Sequence, residues 1–387
     1  MFKFKYLIIG GGMSADSAVQ GIRQIDSTGT IGLISSEKDK PYNRPPLSKG
    51  LWKDKPIEGI WRKTESMGVK IFNGYTALKI DSLQHQVVDD AENVYSYDKL
   101  LLATGGRPRK LSFGTDDIIY FRTVEDYRKL RALCEKGLRF AVIGGGFIGS
   151  EIAAALRMNG KEVVMIFPEK GIGDRVFPSG LSEHINNYYR EKGVEIIAGD
   201  TVEGLERRDG RIRLITARGQ ELLVDGVVAG LGIEPNIELA VQAGIKTGNG
   251  IVVDEMLRTS LPDIYAAGDV VEFHNPALDR RIRVEHEDNA NTMGIAAGRG
   301  MAGRGEPYYH LPFFYSDMFD LGYEAVGILD SRLETYADWN IPNEKGVIYY
   351  LEKERLVGIL LWNVWNKVED ARKLISLVRF NPKSSIA

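Results

Sequence analysis

The sequence predicts an α/β fold in which two copies of a parallel strand–turn–helix unit, one interrupting the other, are followed by a separate carboxy-terminal α/β domain. Three observations predict it. Glycine makes up 43 of 387 residues, about 11% against the usual ~7%, with no Gly/Ser tract to suggest a flexible linker. One glycine turn occurs twice, and each copy is followed at nearly the same distance by an acidic residue that closes a second apolar strand. A chain of this length also exceeds what one ordinary hydrophobic core organises, which is about 250–300 residues, so two or three domains are expected.

The first copy is YLIIGGGMSA (6–15) and the second FAVIGGGFIG (140–149), with 134 residues between Gly10 and Gly144. Each is an apolar, β-branched strand, a triple glycine and a helix-like run. The strand IGLISSE then closes on Glu37 and EVVMIFPE closes on Glu169, 22 residues past Ala15 and 20 past Gly149. A lone turn of this kind is weak evidence; two copies with acids in register are strong. The first glycine permits the sharp turn, the second lets backbone N–H groups approach a pyrophosphate, and the third lets helix and strand pack closely. The acid accepts from ribose hydroxyls. The units therefore read as Rossmann-like, and two dinucleotide sites suggest one fixed dinucleotide and one that exchanges. Three more apolar strands end in small-residue turns: KLLLATGGRP (99–108), GVVAGLGIEPN (226–236) and LPDIYAAGDV (261–270).

Composition removes several function classes. With 50 Lys+Arg against 53 Asp+Glu the net charge is -3, so the chain lacks the cationic excess of a dedicated nucleic-acid binder. The single cysteine, Cys134, forms neither an internal disulfide nor a redox dithiol. It lies in the helical stretch YRKLRALCEKG and reads as a partly buried structural thiol. His85, His184, His274 and His310 lack metal-ligand spacing, and no metal is expected. The opening residues MFKFKYLIIGGG run straight into a strand and turn, leaving no room for a signal peptide. No apolar run nears the roughly 20 residues of a membrane helix. A cytoplasmic location is expected.

The order GGGMSA, Glu37, ATGG, GGGFIG, Glu169, AGLGIEPN, YAAGD resembles the FAD-dependent pyridine nucleotide oxidoreductases, flavoproteins of the glutathione-reductase-like type that carry FAD and NAD(P)H in separate domains. PYNRPPLSK (41–49), RVEHEDNA (283–290), FFYSDMFDLGYEAVG (313–327) and GVIYYLEKERLVGILLWNVWN (346–366) are similar to the apoptosis-inducing-factor-like and ferredoxin or rubredoxin reductase-like members. The resemblance spans nearly the whole chain. It implies an FAD domain at 1–113 and 237–311, an NAD(H) domain at 114–236 and a carboxy-terminal α/β domain, of the dimerisation or interface type, at 312–387. The chain departs from the animal factors in two ways: only YADWNIPNEK (336–345) precedes the GVIYY strand, where they carry a long insertion, and Tyr315 stands where they have a tryptophan. An apoptotic role is not implied.

The resemblance also assigns residues. Gly10, Gly12 and Ser14 fall at the FAD pyrophosphate, Glu37 at the adenosine ribose and Ala77 beside adenine, while Arg44 and Arg122 neutralise phosphate or ring oxygens. Asp269 takes the ribityl hydroxyls. Met13, Lys38, Thr104, Gly105, Ile148 and Gly268 are further cofactor-binding positions. Lys49 and Glu151 pair beside the flavin, where an ion pair fixes its environment and favours the anionic reduced form. Glu285 and His286 contact its pyrimidine end, near a helix start that stabilises negative charge. In the second turn, Gly144, Gly146 and Phe147 face the nicotinamide nucleotide; Phe147 lies across the nicotinamide pocket, its plainer reading being core packing. Glu169 favours NADH because a carboxylate repels a 2′-phosphate, and Arg175 softens that preference. Gly232, Tyr315, Glu324 and Asn363 line and close the nicotinamide site.

Disulfide reductases of this fold place redox cysteines after the first helix, and here that region reads PYNRPPLSK. Electrons must then leave the flavin directly. The activity expected is electron transfer from NADH through FAD to a one-electron acceptor: a ferredoxin, rubredoxin or quinone. The alternative from another class is an NADH-sensing interaction protein with a long-lived reduced flavin–NAD complex, dimerising with NADH; an oxidase making hydrogen peroxide is a third. The basic stretch KVEDARKLISLVRFNPKS (367–384) is a candidate dock for an acidic ferredoxin, against the plainer reading of a solvated helix face.

Overall fold

The computed structural model describes residues 1–114 and 116–377. The chain folds into two compact units. The first contains Met1–Arg44, Ile57–Arg107 and Glu234–Pro312; the second contains Pro45–Pro56, Pro108–Ile233 and the described residues from Phe313 to Leu377. Residues 45–56, which fall inside the 1–113 stretch of the sequence-based division, thus pack with the second unit, and the 114–236 and 312–387 stretches largely share that unit.

In the first unit Phe2–Ile9 is a central strand, parallel to Ile31–Ser35 on one side and to Val94–Leu102 on the other. Val69–Asn73 extends the sheet beyond Ile31–Ser35, and Ile264–Ala266 pairs in parallel with Val94–Leu102. Leu7, Ile8, Leu33, Leu100 and Leu101 are fully buried, as a parallel strand covered on both faces requires. The covering helices approach at backbone distance. A Cβ on Gly294 would overlap the Ser14 carbonyl, and one on Gly298 the Ala18 carbonyl. This close approach of Glu287–Met301 to Met13–Arg23 fixes the start of the later helix beside the first glycine turn.

The second unit has a five-stranded parallel sheet in the order Val194–Ala198, Glu162–Phe167, Arg139–Ile143, Gly226–Ala229, Ile118–Tyr120. Its carboxy-terminal part is a five-stranded antiparallel sheet with Phe313–Met318 at one edge, followed inward by Leu321–Gly327. The helix Val368–Ile375 packs on this sheet. Within it Arg372 pairs with Glu369 at 2.5 Å and Lys367 with Asp370 at 3.3 Å, so part of the basic stretch is neutralised locally; residues 378–384 of that stretch lie outside the described residues. The segment 45–56 is anchored by Trp52, which is 3% exposed. Its indole N–H donates to the Leu47 carbonyl at 2.8 Å, Tyr127 meets it edge-on, and the Asn159 amide donates to its carbonyl. That anchoring is what carries Lys49 to Glu151.

Candidate functional site

Each unit carries one copy of the glycine turn. In the first, Gly10 has φ +119°, and a Cβ there would overlap the Ala103 carbonyl oxygen, so only glycine fits where the strand end passes its neighbour. Gly12 caps the helix Met13–Arg23 in an extended conformation without a side-chain cap, and nothing lies within 4 Å of a Cβ placed on it. The first-turn N–H groups of a helix have no partner within it, so a helix start capped by a bare glycine can seat an anion. Ser14 is buried beside it, and Gly268, at φ +85°, lies so close that a Cβ would overlap the Ser14 hydroxyl. A cavity of about 330 Å³ opens alongside, lined by Gly10, Ser36, Thr76, Ala77, Thr104 and Leu239 among others. Thr104 and Asn236 close its wall with reciprocal hydrogen bonds of 2.8 Å, and Gly105 accepts from the Asn236 N–H.

Glu37 stands at the end of the second strand and accepts from the Tyr42 hydroxyl at 2.6 Å and the Arg44 guanidinium at 2.5 Å. Burial works against the Arg44 charge, but Glu37, with Tyr42 and Asp269, outweighs it and holds the guanidinium above its ordinary pKa. Lys38 is exposed next to Glu37. The backbone carbonyl of Met13 accepts from Arg62. Asp269 follows the Gly268 turn, and its carbonyl accepts from Arg283, which also pairs with Glu285 at 2.7 Å. His286 is the extended cap residue of Glu287–Met301.

The second turn repeats the first in the second unit. Gly144 has φ +111° and packs on the Gly230 carbonyl, Gly146 caps Phe147–Met158 with open space around it, and a Cβ on Gly149 would overlap the Gly144 carbonyl. Ile148 is 37% exposed beside it. Among the described residues, the Glu169 carboxylate pairs with Arg175 at 2.5 Å, whose side chain is 82% exposed. Arg122 also belongs to this unit, its N–H donating to Asp126 beside the Thr123 capping box. Phe147 is half-buried and tilted against Phe314 and Tyr323 at 5.5 and 6.4 Å. Tyr315 and Glu324 face each other across the antiparallel pair. Among the described residues, Glu324 Oε2 is buried with no hydrogen-bond partner, and burial raises that carboxyl's pKa, opposed by a lesser pull from the Asn366 backbone. Gly232 has φ +81° and nothing within 4 Å of a Cβ. Asn363 accepts from the Gly322 N–H and donates to the Glu344 carbonyl, so its amide is already used to hold a turn.

Glu151, 4% exposed, accepts three side-chain hydrogen bonds. Lys49 donates to Oε1 at 2.7 Å, Ser48 to Oε2 at 2.5 Å and Ser316 to Oε1 at 2.6 Å, while the Tyr315 ring lies 5.1 Å from the Lys49 ammonium. A buried ion pair is costly unless its remaining lone pairs are satisfied, and the two serines satisfy them. Burial, then the Glu151 charge, holds the neighbouring Tyr189 and Tyr323 phenols well above the ordinary tyrosine range, so both stay neutral. Sequence reasoning paired Lys49 with Glu151 but missed Ser48, Ser316, Tyr42 and Arg283. The signal was adjacency: Ser48 precedes Lys49, Ser316 follows Tyr315, and Tyr42 and Arg283 sit in motifs already singled out.

Residues 4–294 match the family described as pyridine nucleotide-disulphide oxidoreductase. The chain belongs to that family. Its segments 297–345 and 340–377 match the carboxy-terminal domain of mitochondrion-associated apoptosis-inducing factor. It is 34% identical over 417 residues to apoptosis-inducing factor 1, mitochondrial, of Dictyostelium discoideum, covering 96% of this chain and 78% of that protein. It is also 34% identical over 383 residues to the ferredoxin reductase subunit of 5,5'-dehydrodivanillate O-demethylase of Sphingobium, covering 96% and 93%. The covalent putidaredoxin reductase–putidaredoxin complex contains a chain of the same fold, with a TM-score of 0.90, 29% identity and coverage of 96% and 93%.

The protein is an NAD(P)H-dependent flavoprotein oxidoreductase, and its cofactors are FAD and NAD(H). Its residues fit both groups: two helix starts open to an anion, each preceded by a glycine whose Cβ would collide with backbone, and an unpartnered buried carboxylate oxygen on Glu324. The family is named for a disulphide, and this chain has one cysteine. Cys134 is 8% exposed and burial pushes its thiol up to about 11, the environment of an inert structural cysteine. Among the described residues, no cluster of His, Cys, Asp and Glu is arranged to hold a metal ion, and no helix is long and apolar enough to cross a membrane.

Proposed function

We propose that the protein takes a hydride from NADH onto FAD and passes the electrons singly to a small redox protein of the ferredoxin or rubredoxin class, or to a quinone. The observation that carries this reading is the Lys49–Glu151 pair, buried and with both carboxylate oxygens hydrogen-bonded, in a chain whose only thiol is inert. When bound, FAD would supply a carrier able to take a hydride and give up electrons singly, and without a thiol relay the electrons would leave the flavin directly. On this reading the domain at 1–113 and 237–311 holds FAD, with Gly10, Gly12, Ser14 and Gly268 at the pyrophosphate, Glu37 at the ribose, Ala77 and Thr104 along the adenosine and Asp269 at the ribityl chain. The domain at 114–236 holds NADH through Gly144, Gly146 and Glu169, and the 312–387 domain adds Tyr315 and Glu324. Ferredoxin reductase relatives support the choice of acceptor class. A cytoplasmic location is part of the reading, consistent with a lone unbridged cysteine.

Apoptosis-inducing factor relatives favour a second reading, NADH sensing. Anaerobic mixing of the FAD-loaded protein with NADH in a stopped-flow instrument, followed by ferredoxin, rubredoxin, quinone or air in separate syringes, decides between them. Rapid reoxidation by one protein acceptor or quinone is the expected result. A charge-transfer band that survives minutes in air, accompanied by NADH-dependent dimerisation, assigns the protein to sensing instead.

A further inference from the structure

Lys49 Nζ and Ser316 Oγ donate to the same oxygen of Glu151, Oε1, whereas Ser48 donates to the other. Two donors on one oxygen divide its charge between them, so the bond from Ser316 weakens the hold of Glu151 on the ammonium. Ser316 is 1% exposed and comes from the edge strand Phe313–Met318. The preceding residue of that strand, Tyr315, lies over the same ammonium. Consecutive strand residues point to opposite faces, and an edge strand leaves its outer side unpaired. Two neighbouring residues thus reach both members of one ion pair.

We infer that Ser316 is a positioning residue that sets the reduction potential of the flavin by controlling how much of the Lys49 charge Glu151 neutralises. The inference rests on the reading above, in which Lys49 and Glu151 determine the flavin's environment. Without the Ser316 hydroxyl, Glu151 holds the ammonium more tightly, the field that stabilises an anionic reduced flavin falls, and the midpoint potential drops.

The test is a dye-referenced reductive titration of the FAD-bound wild type, S316A, S48A and the near-isosteric pair S316T and S316V. S316A is expected to favour the oxidised flavin by about tenfold, the effect of one hydrogen bond to a charged group, which for a two-electron couple is about 30 mV more negative. S48A, which frees the oxygen that Lys49 does not use, should shift the potential less. S316T should stay near wild type and S316V should follow S316A, so the comparison stands even if alanine destabilises the strand. An S316A potential equal to wild type, equal shifts in S316A and S48A, or equal shifts in S316T and S316V overturns the inference and leaves the oxidoreductase reading intact. A wild-type chain that binds no FAD overturns both.

Discussion

Glu37 and Glu169 occupy the same place in two copies of one motif, yet their surroundings differ. Glu37 is clasped by a buried tyrosine hydroxyl and by a guanidinium held charged against burial. Among the described residues, Glu169 pairs with one arginine, which is 82% exposed and costs little to swing away. A rigid corner suits a dinucleotide that stays bound through turnover. A corner closed by one solvent-exposed side chain suits a dinucleotide that enters and leaves. The glycine turns show no such contrast: both first glycines sit at strongly positive φ against a neighbouring carbonyl, and both cap glycines face open space. Geometry that any dinucleotide needs is shared between the copies, and the difference lies in the residues around the acid.

The shared part gives the largest expected effect. Gly10→Ala and Gly144→Ala each place a Cβ on backbone carbonyl at a φ that alanine avoids, costing ~3 kcal/mol. Both should lower the melting temperature sharply, Gly10→Ala with loss of FAD, whereas Gly12→Ala, which meets nothing, should fold normally and only weaken FAD retention. If Gly10→Ala melts like wild type, the steric account of the turn is wrong.

The acids should separate next. Glu169→Ala is expected to weaken NADH binding by about tenfold with FAD content and visible spectrum unchanged, and Glu37→Ala to lower FAD content. Fluorescence titration with NADH and flavin content after gel filtration read the two effects. Loss of FAD from Glu169→Ala would show the two sites to be exchanged.

The smallest effect concerns Glu324, whose carboxyl is raised by burial. A raised carboxyl penalises the ionised folded state, so Glu324→Gln should stabilise the apoprotein at neutral pH. The gain, under about 1 kcal/mol because the residue is only half-buried, should vanish as pH falls through the raised pKa and wild-type Glu324 becomes neutral. Thermal melts at about pH 7.5 and about pH 3.5, on either side of the ordinary glutamate value of about 4.3, measure it. A gain that persists in acid rules out ionisation as the cause.

The turns and their acids were legible in the sequence because strand, glycine turn, helix and second strand are contiguous, and each residue type answers a local demand: positive φ, open backbone, a carboxylate at a strand end. The pairing of Lys49 with Glu151 was legible through family resemblance alone, since 102 residues separate them. Ser48 and Ser316, 103 and 165 residues from Glu151, carried no signal of their own; a serine hydroxyl finds a partner almost anywhere, and only packing decides which. The destination of residues 45–56 was hidden for the same reason. Their sequence lies within the first domain, but burial of Trp52 against Tyr127 and Arg131 draws them into the second unit.

By itself, then, the sequence determined an α/β chain with two dinucleotide turns, an acid for each, and no thiol route for electrons. Tertiary structure decided how the charges are held: Glu37 clasped, Glu169 loosely capped, Glu151 shared among a lysine and two serines. Local backbone demands are written in neighbouring residues, whereas the satisfaction of a buried charge depends on which distant groups the fold brings within hydrogen-bond reach.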